Sequence, residues 1–242
     1  MNPGGAADHD VAAAGFKLVY ADDCLLVADK PPGLLAVPGR GEDKQDCLSR
    51  RLQAQYPEAL VVHRLDMATS GLMVLARSRE VQRTLSIAFA AREVHKRYVA
   101  VVQGRLNMPM LAEDGWALIN LPIALDWPSR PLRVIDHLSG KPSITRWQVL
   151  AYDPVTDTTR LLLEPVTGRS HQLRVHLQAL GHPILGDALY ACAEIQAAAP
   201  RLLLHAQQLR LVHPVTGAAM QFVAEMPFKE DDEQPGTSPD RA

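Results

Sequence analysis

The sequence predicts an α+β protein built around a central, mainly antiparallel sheet with flanking helices. Short apolar runs of strand length recur along the chain, few segments carry helical spacing, and no regular strand–helix–strand alternation links them. Phe16–Tyr20 and Cys24–Ala28 flank the acidic pair Asp22-Asp23 and read as two strands joined by a turn. Lys30-Pro31-Pro32-Gly33 follows as a loop, because paired prolines deny donors to a ladder. Leu34–Val37 is another extended run, closed by Pro38-Gly39. Asp46 is placed to cap a helix that runs to Tyr56 and stops at Pro57.

Leu72–Ala76 is continuously apolar, the mark of a buried strand. Ser78 caps a helix over residues 79–92, with Val81, Leu85, Ala88 and Phe89 at helical spacing. Tyr98–Val102 is a strand, and Arg146–Ala151 pairs with Arg160–Glu164 around Asp153-Pro154. A helix over about 170–180, capped by Thr167 or Ser170, ends at Gly181 with Pro183 beyond it. Leu202–Val212 and Met220–Ala224 close the chain as a strand pair. Residues 1–15 read as a mobile start, 16–228 as one compact domain and 229–242 as an acidic tail.

Of the 242 residues, 47% are apolar and 21% charged, which excludes a wholly disordered chain. No apolar run approaches the ~18 residues of a membrane span, and the start lacks the basic and apolar stretches of a secretory signal. The three cysteines form no C-x-x-C pair, which argues against a disulfide framework or cysteine zinc site and fits a cytoplasmic setting. Net charge is −2, but the two ends carry a net acidic excess that leaves residues 11–228 mildly basic. That distribution is compatible with RNA and does not by itself indicate it.

Three polar segments carry candidate chemistry. His63-Arg64-Leu65-Asp66-Met67-Ala68-Thr69-Ser70-Gly71 lies between two apolar runs, a platform for a reactive group. Spacing alone equally allows an ordinary turn in which Asp66 accepts from nearby amides. In His95-Lys96-Arg97-Tyr98, the strand period puts Lys96 and Tyr98 on one face, where a ring can stack a base and a cation meet phosphate. In Gly168-Arg169-Ser170-His171-Gln172-Leu173-Arg174-Val175-His176, the basic groups call for an anionic partner, either Asp66 or RNA phosphate. Two other enzyme readings are weaker. No second acid sits near Asp66 in sequence, as a glycosidase would need, and His171 with His176 lacks the i, i+4 spacing of a helical zinc pair.

HRLDMATSGL, the lysine–tyrosine strand and PVTGRSHQLRVHLQALGHPILGD, in that order and preceded by KPPG, resemble the RluA family of ribosomal RNA pseudouridine synthases. The likeness runs from Phe16 to about Phe228, and RLLLHA and DWPSRP (126–131) bring it close to the dual-specificity branch. The resemblance implies a single catalytic domain with an RNA-binding cleft across its sheet. It implies conversion of uridine to pseudouridine in RNA, at uridine 746 of 23S rRNA and uridine 32 of tRNA stem-loops. By the same resemblance Asp66 is the catalytic aspartate, Tyr98 the tyrosine beside the target base and Arg174 the basic partner of Asp66. Arg64 enters the RNA stack, and Lys96, Arg169 and His171 join the RNA-binding set. No cofactor or metal is implied. The expected state is a monomer with RNA as partner and neither membrane nor protein partner. The chain departs from the family over residues 104–120 and in its acidic tail, which bears on RNA contacts more than on chemistry.

Overall fold

The computed structural model describes residues 15–107 and 114–228. The expectations for the segment before Gly15, for the tail from 229, and for part of the divergent stretch (108–113) lie outside those residues. In chain order the elements are β1 (Lys17–Ala21), β2 (Leu25–Lys30), α1 (Leu48–Gln53), β3 (Leu60–Val61), β4 (Ser70–Ala76), α2 (Arg79–Ala90) and β5 (His95–Gln103). Then come β6 (Ala117–Asn120), β7 (Ile123–Leu125), β8 (Arg133–Ile135), β9 (Ile144–Asp153), β10 (Thr158–Pro165), α3 (Gln172–Ala179), α4 (Ala193–Ala197), β11 (Leu204–Val212) and β12 (Ala219–Val223). Among the described residues they fall into two compact units, 15–96 with 206–225, and 97–107 and 114–205 with 226–228.

In the first unit the strand order is β1-β2-β4-β11, with β3 added to β4 and β12 to β11. β2 and β4 pair antiparallel from Leu25 opposite Ala76 to Lys30 opposite Gly71. Every residue of β4 is buried, as its unbroken apolar run requires. Gly71 is obligatory there. Its φ is 114°, and a Cβ would lie 2.4 Å from the Ala206 carbonyl oxygen. α2 begins where Ser78 accepts a bond from the Val81 amide at 3.2 Å. Its Val81 and Leu85 join Leu25, Leu72, Val74 and Phe222 in the core, with Ala88 and Phe89 packed against it.

α1 is shorter than expected and capped differently. Cys47 occupies the cap position with no side-chain bond. The Asp46 carboxylate instead takes Arg51 Nε at 2.8 Å and Nη2 at 2.7 Å. Leu34–Val37 forms no strand; Leu35 makes only an isolated bridge to Cys47.

In the second unit β5, β10, β9 and β6 lie side by side, all antiparallel, with Tyr98 opposite Leu163 and Glu164 opposite Arg146. The predicted hairpin around Asp153-Pro154 is present. β7 and β8 form a separate two-stranded ribbon that the apolar pattern did not reveal. At α3 neither Thr167 nor Ser170 acts as cap. His171 holds that position with φ 56° and no side-chain cap bond. The Thr167 hydroxyl donates to Gln172 Oε1 at 2.8 Å, so the helix entry is organised by Gln172 folding back. Gln172 also accepts from the Arg169 amide at 3.0 Å and donates to the Ile144 carbonyl and Thr145 hydroxyl, each at 3.0 Å. All four hydrogen-bonding positions of that buried amide are used, which outweighs a simple hydroxyl cap.

Candidate active site

In the first unit the His63–Ser70 loop is held at several points. His63 Nε2 accepts from the Val74 amide at 3.0 Å, and its ring stacks on Phe89 at 4.5 Å. Loss of hydration, then the positive charge of Lys96, pushes the His63 pKa down to about 3, so it is neutral and can accept that bond at physiological pH. Thr69 N donates to the Asp66 carbonyl at 3.1 Å, so a turn does form here, through main chain. Arg64 is exposed, Leu65 buried and Asp66 half-buried, which anchors the loop by its leucine between two functional candidates.

The strongest tether comes from a residue whose role the sequence did not reveal. Lys30, of the KPPG segment, is fully buried. Its ammonium donates to the carbonyls of Pro31 at 2.9 Å, Leu34 at 2.8 Å and Met67 at 3.0 Å. The Gly33 amide donates to the same Met67 carbonyl at 2.9 Å. A buried ammonium needs its donors satisfied, and three carbonyls do so while fixing the residue next to Asp66. Lys30→Met keeps length and removes the donors. It should lower kcat about 10–100-fold, the scale of a small misplacement of a reacting group, with KM changed far less. Steady-state kinetics on folded variant protein measure this; a kcat within threefold of wild type would exclude the tether as a positioning device.

β5 carries the next pair. Lys96 is half-buried, its ammonium 6.0 Å from the Phe89 ring centre, and burial lowers its pKa. Tyr98, two residues on and on the same strand face, is half-buried in the second unit.

Around α3 the basic residues separate by role. Arg169 is exposed. Arg174 is buried and forms a forked pair with Asp187, Nε to Oδ2 at 2.8 Å and Nη2 to Oδ1 at 2.5 Å. Asp187 is completely buried and also accepts the amides of Leu189 at 2.9 Å and Tyr190 at 3.2 Å. The Tyr190 ring lies 5.0 Å from the Arg174 guanidinium, and its hydroxyl meets His171 Nδ1 at 2.7 Å and the Arg133 amide at 2.9 Å. Asp187 is thus an anionic partner of Arg174 that neither sequence candidate, Asp66 or phosphate, anticipated. The only signal for it was its place at the end of ALGHPILGD. The fork uses one edge of the guanidinium; three further N–H groups lie outside it.

His171 and His176 do not act as a pair. His176 uses Nδ1 on the Thr145 hydroxyl at 2.9 Å and Nε2 on the Leu121 carbonyl at 3.0 Å. Among the described residues Asp22, Cys24 and His213 also cluster at ligand spacing. There His213 Nδ1 accepts amides from Val215 at 3.3 Å and Thr216 at 3.0 Å, so the neutral ring carries its proton on Nε2, 2.9 Å from Asp22. A metal at Nε2 would need the opposite tautomer, so the cluster reads as a structural brace.

Residues 24–179 match the family described as RNA pseudouridylate synthase. An α+β sheet protein carrying the HRLD loop and matching that family over more than half its length falls in the class of RNA-modifying isomerases. The chain belongs to the RNA pseudouridylate synthase family and is an RNA pseudouridine synthase. It is 49% identical over 211 residues to the dual-specificity RNA pseudouridine synthase RluA of Escherichia coli (strain K12), covering 87% of this chain and 93% of that protein. To the protein of the same name from Haemophilus influenzae it is 44% identical over 213 residues, covering 88% and 94%. Among solved structures it is similar to human RNA Pseudouridylate Synthase Domain Containing 1, with TM-score 0.75 and 27% identity, covering 100% of this chain and 94% of that one. Among the described residues no helix is long and apolar enough to cross a membrane.

Proposed function

We propose that this synthase has two substrates, a 23S rRNA stem-loop at uridine 746 and a tRNA anticodon stem-loop at uridine 32, and works as a cytoplasmic monomer without cofactor. The observation that carries the reading is the 49% identity, over 93% of its length, to a relative whose name states dual specificity. The motif likeness that runs from KPPG to RLLLHA supports it.

The reaction breaks the N1–C1′ bond, turns the uracil, joins C5 to C1′, moves a proton off C5 and protonates N1. The uridine must first leave the stack, at a cost of about a few kcal/mol. Arg64, exposed beside Asp66, fills the gap as a planar cation that stacks and meets phosphate. Asp66 supplies the carboxylate that attacks or deprotonates the nucleotide, and Arg174 serves as its basic partner. Lys96, Arg169 and His171 contribute to the RNA contact. Tyr98 stacks on the detached uracil, and its hydroxyl handles the proton that leaves C5.

Two arms test this reading. Pseudouridine mapping across total RNA, with and without the gene, should show loss at both sites; purified protein should modify both stem-loops. Modification of one stem-loop only would overturn dual specificity. Tyr98→Phe keeps the ring and removes the hydroxyl. It should bind RNA, form C5-linked uracil and stall, releasing little hydrogen isotope from 5-labelled uridine. Near-normal release would leave the ring as a platform and remove the hydroxyl from the mechanism.

A further inference from the structure

The chain has three tryptophans. Trp116 and Trp147 are buried, 8% and 3% exposed, whereas Trp127 is 65% exposed. It sits in the DWPSRP loop between β7 and β8, a two-stranded ribbon whose Ile123 also bridges to Lys141. The loop is braced. Asp126 N donates to the Leu132 carbonyl at 3.1 Å, Leu132 N to the Ser129 carbonyl at 3.0 Å, and Ser129 N to the Asp126 carboxylate at 3.3 Å. Trp127 is therefore held out on a fixed turn. The Arg130 guanidinium lies 4.8 Å from its ring centre and, at that exposure, covers only part of the ring.

We propose that Trp127, with Arg130, is a stacking site for one unpaired RNA base beyond the target uridine. A base has two apolar faces and a phosphate beside it. An indole with a guanidinium against it offers a stacking face and a cation for that phosphate. The side chains of the loop itself favour RNA over a protein surface. Pro128, Ser129, Arg130 and Pro131 are all exposed, with no large aliphatic side chain among them. Arg133 starts the next strand, and the one acid of the motif, Asp126, has its carboxylate engaged by the Ser129 amide. The inference rests on the reading that a structured stem-loop is the substrate.

The burial of the other two tryptophans makes the test spectroscopic. Acrylamide should quench the Trp127 emission of the whole protein, and saturating anticodon stem-loop RNA should protect it. A fully paired duplex of equal length should not. Trp127→Phe should remove the quenchable signal. Trp127→Ala should weaken stem-loop affinity by roughly tenfold, and Trp127→Phe by less, because the ring remains. Unchanged quenching at RNA saturation, or Trp127→Ala affinity within twofold of wild type, would overturn the site. So would protection that follows protein concentration without RNA, which marks self-association. Pseudouridine formation by wild type on the same stem-loop is read in parallel. If it forms while Trp127 stays quenchable, this site alone fails; if none forms, the substrate reading fails.

Discussion

Asp66→Asn is expected to abolish pseudouridine formation while RNA affinity stays within about tenfold, some 1.4 kcal/mol. Asparagine keeps the shape and hydrogen-bonding reach of the side chain but cannot attack or take a proton as a carboxylate does. The loop should keep its place, because several tethers besides the Asp66 side chain hold it. Lys30 and the Gly33 amide hold the Met67 carbonyl, Thr69 N holds the Asp66 carbonyl, and His63 holds the Val74 amide. Loss of activity with retained affinity would therefore report chemistry and not collapse. Single-turnover assays on rigorously purified protein, run beside filter binding, make the measurement. Substantial residual turnover would remove Asp66 from the catalytic role.

The second large effect concerns stability. Asp187→Ala should cost about 3–5 kcal/mol, because it leaves the Arg174 charge buried without this counter-ion. The pair is 4% and 0% exposed, so solvent screens it little. Leu189 N and Tyr190 N would also lose their acceptor. For a chain of this size each kcal/mol corresponds to ~2–4 °C, so Tm should fall by about 10 °C. The double variant Arg174→Ala/Asp187→Ala should lose clearly less than the two single losses added, since removing both charges leaves neither stranded. Thermal and denaturant unfolding of the four proteins measures the coupling. A loss under 1 kcal/mol for Asp187→Ala, or strict additivity, would show that the fork is not a stabilising pair.

Much of the fold was legible because its signals are local. Leu72–Ala76 reads as a buried strand, Ser78 as the cap of a helix facing inward through Val81 and Leu85, and Asp153-Pro154 as the turn between two strands, and all three are found. Failures came where a polar side chain had a choice. Asp46 could cap α1 or pair with Arg51, and it pairs. Thr167 could cap α3 or bond Gln172, and it bonds Gln172. β6, β7 and β8 are three or four residues long, too short for a period to stand out.

The sequence by itself determined the class of fold, the polar loops proposed to carry chemistry and, through the order of its motifs, the family. These follow from residue spacing and identity along the chain. The tertiary structure alone decided which groups hold those loops. Lys30 finds the Met67 carbonyl 37 residues away, Arg174 finds Asp187 13 residues away, and Trp127 is left outside while its two counterparts are buried. The physical reason is that burial makes partner choice decisive. A cation taken out of water must be matched by oxygens that folding brings within about 3 Å, and those oxygens belong to whichever segment packs beside it, which no local pattern specifies.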